Sequence, residues 1–148
     1  MRIFVFLHVL SMFAAVAVTG GGDLLFYRIA QRREAPAIRG AGAAFQRLAA
    51  LIPWLFAMGA GFGIIAIFVH GFDPFATWLL LAYVLFVAGL AVGNFVNGRY
   101  AGDVVAAADQ PSPALDVAVG HPRGLIGIVA FWLIVAALVF LMIVKPFS

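Results

Sequence analysis

Cysteine is absent from all 148 residues. That removes disulfide frameworks, Cys-ligated zinc, iron–sulfur clusters and thiol catalysis. Charge is nearly as scarce: Asp, Glu, Lys and Arg make up 10% of the chain, against about a quarter in an ordinary soluble domain. Lys145 is the sole lysine and Glu34 the sole glutamate. Hydrolase elbows, phosphate loops and metalloprotease motifs are missing too, so no catalytic constellation is in view and a non-enzyme is expected. The net charge of +3 comes from arginines near the ends of apolar runs. No base-reading motif accompanies them, and a nucleic-acid partner is not expected.

What is present is hydrocarbon. Hydrophobic residues make up 66% of the chain. A membrane-spanning helix needs about 20 apolar residues to cross roughly 30 Å. Four runs qualify: Ile3–Tyr27, Leu48–Val69, Phe75–Val96 and Leu125–Val144. They lack the alternation of barrel strands, and only helices or closed barrels satisfy the backbone in lipid. The sequence therefore predicts an all-α polytopic membrane protein. Residues 1–148 should form a single four-transmembrane-helix bundle with no soluble domain, its first partner the lipid bilayer. Arg2 followed by an apolar run and "AVAVTG" resembles a signal peptide. Positive charge follows that run more heavily than it precedes it, so a retained first helix is expected.

Arginine placement sets the expected orientation. The first connection carries Arg28, Arg32, Arg33, Arg39 and Arg47, and the third carries Arg99 and Arg123; the opposite side has Arg2 and Lys145. This bias puts both termini on the non-cytoplasmic side of a bacterial cytoplasmic (inner) membrane. "HGFDPF" joins the second and third spans as a tight antiparallel hairpin. The first connection reads as helical, with Pro36 suited to the first turn of a new helix. The third, about residues 98–123, holds Gly102, Pro111, Pro113, Gly120 and Pro122, and its centre is expected to be a mobile cytoplasmic loop.

The glycines sort onto helix faces. At 100° per residue, Ser11, Met12, Ala15, Thr19, Gly22 and Phe26 fall within about 60° of His8. This small, polar stripe predicts close approach by another helix. Gly59 and Gly63 form a matching seam in the second span, continued by Ala66 and His70, and are expected against Ala15, Thr19 and Gly22. Gly89, Gly93 and Asn97 repeat the device in the third span. The fourth span has no comparable stripe and reads as the most lipid-exposed. Packing within one chain is the first reading of these seams, with homodimerisation as the alternative.

Asp23 lies near the inner boundary by helical rise, level with Asn94 and Asn97, and Arg28, Arg47 and Arg99 flank that plane. A structural polar cluster of Asp23, Asn94, Asn97, Arg28 and Arg47 is expected, with proton or cation transfer as the alternative. His8 lies on the polar stripe toward the outer side, and His70 ends the second span on that side. Imidazoles from neighbouring helices can hold haem iron, although these two differ in depth by several Å on a count of roughly 1.5 Å per residue. The simpler expectation is an internal hydrogen bond at His8 and an interfacial His70; His121 should be solvated.

"FLHVLSMFAAVAVTGGGDLLFYRIAQRR" resembles the first helix of small, uncharacterised bacterial membrane proteins related to the CopD and HemJ type. The early "LHV", the glycine-rich centre and the apolar tail running into basic residues carry the resemblance. Similarity in span pattern extends to about Asp109. The resemblance implies a compact helical bundle and haem b at His8, with His70 as a candidate second ligand. The HemJ branch places tryptophan near the glycines of its first span and carries an intramembrane lysine. Phe13–Thr19 holds no tryptophan here and Lys145 is terminal, which argues against haem-dependent protoporphyrinogen oxidation. Two readings follow: a non-catalytic subunit or helper that docks a membrane-protein partner or a second copy of itself, and a b-type haem redox module.

Overall fold

The computed structural model describes residues 2–110 and 112–145, and every regular element among them is helical. α1 spans Arg2–Ala30, α2 Ala35–Ala49, α3 Ile52–His70 and α4 Thr77–Ala91. A π-helical segment, Val92–Asn97, continues α4 into α5, Gly98–Ala107; α6 is Ser112–Gly120 and α7 is Arg123–Val144. Four stretches are long and apolar enough to cross a membrane: Arg2–Ala30, Ala35–His70, Thr77–Ala107 and Pro113–Val144. The chain is an all-α protein with four candidate spans.

α1 is the central helix, packed by α3 on one side and by α7 on another. α7 in turn packs on α4 and the π-helical segment. An edge-on contact between Phe56 and Phe86, with ring centroids 5.8 Å apart, brings α3 to α4. The buried face of α1 comprises Ser11, Ala15, Thr19, Gly20, Phe26 and Ala30, which largely follows the small-residue stripe. At the hairpin, Gly71 ends α3 with φ +69°, a left-handed turn that suits a residue without Cβ. Asp73 Oδ1 accepts the Phe75 N–H at 2.9 Å and tightens the same turn. Lys145 closes this end of the bundle, its Nζ 4.3 Å from the Phe72 ring centroid and 5.6 Å from that of Trp78.

Two expectations are corrected. The third connection is not an irregular loop: α5 and α6 occupy most of it. Pro113 lies in the first turn of α6 and Gly120 to Pro122 at the step into α7, while Gly102 is carried inside α5. Pro111 lies outside the described residues. Tyr100, Val104 and Ala107 recur at helical spacing and join Phe26, Ala30, Ile38, Leu115 and Val119 in the larger buried cluster. This cluster gathers α2, α5 and α6 around the end of α1. Exposed ion pairs tie its rim: Arg33–Asp116 at 2.9 Å, Arg39–Asp109 at 3.2 Å and Arg123–Asp103 at 3.2 Å. Such pairs contribute about 0–1 kcal/mol each and serve chiefly to fix orientation.

The second correction concerns the fourth span. Its most apolar window has 22% of its residues buried, against 11–17% for the other three, so it is not the most lipid-exposed. Gly124 lets the Tyr100 ring lie against the α7 backbone, and Gly127 does the same for Asn97. Phe131, 3% exposed, fills the gap beside Gly20 of α1. A polar stripe is not required for burial in lipid; close backbone approach is enough.

Candidate functional site

The three glycines that interrupt the first span point in three directions, as successive helical residues must. A Cβ on Gly20 would sit 2.8 Å from the Phe131 ring on α7. Gly21 meets nothing within 4 Å, and Gly22 accommodates the Phe45 ring of α2. One turn of α1 is thereby thin enough to be approached by two helices. Asp23 follows at once, at the level where the π-helical segment passes.

The decisive polar contact is there. Asn97 Nδ2 donates to Asp23 Oδ2 at 2.6 Å, linking α1 to the end of the π-helical segment. Asn97 is 4% exposed and its Oδ1 has no hydrogen-bond partner among the described residues. That oxygen lies directly against Gly127, close to the position a Cβ would take, so α7 locks the amide from behind. Thr19 packs one turn earlier against Gly93, and its buried Oγ1 likewise has no partner among the described residues. A void of about 10 Å³ lined by Asp23, Asn97 and Tyr100 lies beside the pair, large enough for one water and no organic ligand.

Of the other residues read into this cluster, none joins it. Asn94 donates back to the Leu90 carbonyl of its own helix at 3.2 Å. Arg28 lines a separate cleft between α1 and α7, and Arg47 makes no ion pair among the described residues. Arg99 stacks on Phe95, 5.7 Å from the ring centroid. The widened turns of the π-helix separate the two asparagines that a regular helix would have kept nearer one face.

Toward the other end of α1, His8 Nδ1–H donates to the Gly59 carbonyl at 2.7 Å. A Cβ on Gly63 would fall 2.8 Å from the same ring nitrogen, and one on Gly59 would fall 3.0 Å from Met12. The expected seam between α1 and α3 therefore exists in a different register. Gly59 and Gly63 receive Met12 and His8; they do not reach Ala15, Thr19 and Gly22. Gly89 instead faces Ile134 of α7 at 3.4 Å, and Gly93 faces Thr19 at 3.9 Å. His70 ends α3 beside Phe72, about 10 Å further along that helix than Gly63 by helical rise. The structure does not bring His8 and His70 together. Neither the void at Asp23 nor the 460 Å³ cleft at Arg28 is lined by a histidine. These residues do not fit a haem held between the two imidazoles.

Tyr100, Gly124 and Gly127 were not singled out from the sequence. The glycine pair was the available signal, since residues three apart share one helix face and a face without side chains admits close approach. No family model matches the chain, and comparison with curated proteins and with solved structures found no match.

Proposed function

We propose that the protein is a non-catalytic subunit or helper of a membrane system, resident in a bacterial cytoplasmic membrane with both termini on the non-cytoplasmic side. The observation that supports this most is how its intramembrane polar groups are used. Asp23 binds Asn97 and His8 binds the Gly59 carbonyl, each joining one helix to another. Polar side chains used in this way stabilise a bundle in lipid, where apolar contact alone drives little association. The seven-to-two distribution of Lys and Arg supports the orientation. Large apolar side chains remain exposed on all four spans, among them Phe13, Trp54, Val84 and Leu133, and offer surface to lipid or to a membrane partner.

The rival reading, a haem redox module at His8, is separated by spectroscopy. Protein purified in mild detergent should show no Soret band, and dithionite should produce no sharp α and β bands. On native gels of solubilised membranes it should migrate in an assembly larger than its own mass. Reduced haem bands, lost in His8→Ala, would replace the helper reading with the redox one. Migration as a lone chain under every mild solubilisation would remove the subunit reading.

A further inference from the structure

The helper reading does not use the cleft of about 460 Å³ between the end of α1 and the start of α7. Its polar side holds Arg28, Gln31 and Arg32, and its apolar side holds Leu24, Leu125 and Ile128. We propose that this cleft binds an anionic phospholipid from the leaflet at the arginine-bearing end, the phosphate held between Arg28 and Arg32.

The charge arrangement carries the argument. Arg28 lies in the last turn of α1 and Arg32 in the turn just beyond its end at Ala30, and both line the cleft. No carboxylate lines the cleft. Asp103, Asp109 and Asp116 are each held by another arginine, namely Arg123, Arg39 and Arg33. Arg28 and Arg32 both line this one concavity, and neither makes an ion pair among the described residues. Planar guanidinium forks match the oxygens of a phosphate, and Gln31 adds amide donors.

The apolar side decides between a lipid and a free anion. Leu24 precedes Arg28 by one turn of the first span, and Leu125 opens the fourth. Leu24 and Leu125 are 43% and 54% exposed, so an acyl chain can lie along them while its headgroup meets the arginines. The junction of apolar span and basic residues is also where headgroup phosphates reside, and basic pockets between transmembrane helices are suited to anionic lipid. A soluble phosphate would leave this apolar wall unused.

Native mass spectrometry of the detergent-purified protein, titrated separately with phosphatidylglycerol and phosphatidylcholine, tests the proposal. Phosphatidylglycerol should bind at least tenfold more tightly. Arg28→Gln with Arg32→Gln should abolish that preference, while Arg47→Gln, which does not line the cleft, should keep it. Leu125→Trp changes no charge and fills the apolar side; it should weaken phosphatidylglycerol binding with helicity intact, and it serves if the double variant does not fold. Millimolar inorganic phosphate should not displace the lipid. Equal affinity for the two lipids, or full binding by both the double variant and Leu125→Trp, overturns the proposal. Displacement by inorganic phosphate would make the cleft a site for soluble anions, and displacement by an acidic peptide would make it a protein-docking site; either result also overturns it.

Discussion

Asp23 illustrates how a carboxylate persists in an apolar span: it does not stand alone. Its bond to Asn97 joins α1 to the π-helical segment, and the amide is backed by Gly127 of α7. Asp23→Asn keeps an acceptor for the Asn97 amide and should melt close to the parent. Asp23→Leu leaves a buried amide without its partner and should destabilise by about 1–3 kcal/mol. Equal melting of all three in detergent would remove the interhelical role. Gly127 admits the same amide from the opposite side, and a methyl group there has nowhere to go. Gly127→Ala should therefore destabilise by about 1–3 kcal/mol through overpacking, whereas Gly61→Ala, which meets nothing within 4 Å, should be neutral or slightly stabilising. Thermal unfolding in one detergent, read by circular dichroism, compares the two.

Among the elements, the π-helical segment and α7 depart furthest from the sequence expectation. A π-helix holds a residue more per turn than an α-helix, so the ladder through Val92–Asn97 can lose one residue and revert to regular geometry. Phe95 is 63% exposed and is the residue to remove. Deletion of Phe95 should leave a folded protein, whereas deletion of Val84 within regular α4 should shift every later side chain by 100° and prevent folding. Size-exclusion profiles and helicity of the two deletions give the answer. In α7, Phe131 is buried beside Gly20 while Leu133 faces outward. Phe131→Ala should cost about 3 kcal/mol and Leu133→Ala far less, as read by thermal unfolding; equal losses would contradict the packing of α7 on α1.

For the whole molecule, the proposed orientation has a direct test because no native cysteine interferes. Gly40, exposed on α2 with nothing within 4 Å, and Phe75, 75% exposed in the hairpin, lie at opposite ends of the bundle. In intact cells an impermeant thiol reagent should label Phe75→Cys and spare Gly40→Cys. The reverse pattern would invert the protein and move the basic cleft to the outer leaflet. The molecule also uses two kinds of packing. The Asp23 level separates spans packed through glycines and a few polar contacts from a terminal cluster of α2, α5 and α6 packed through buried apolar side chains.

The amino-acid sequence by itself determined the helical class, the four spans, the helical first connection and the small-residue face of α1. Each of these depends on run length or local periodicity, which a linear chain displays. It also placed Asp23 at the depth of Asn94 and Asn97, because rise per residue is a local quantity, without deciding between the two. The tertiary structure alone decided the rest. Which glycines of α3 meet which turn of α1 depends on the relative shift of two helices, and the Met12 side chain and the His8 ring settled that register. Asn94 was separated from Asn97 by a π-helix that no local signal announced. The fourth span packs closely on its neighbours because Gly124 and Gly127 meet side chains from a distant segment. The supposed loop became a packed cluster because its apolar residues find Phe26, Ala30 and Ile38 only once the chain has folded back. Periodicity tells a residue which face it is on; what stands opposite that face is a property of the whole chain.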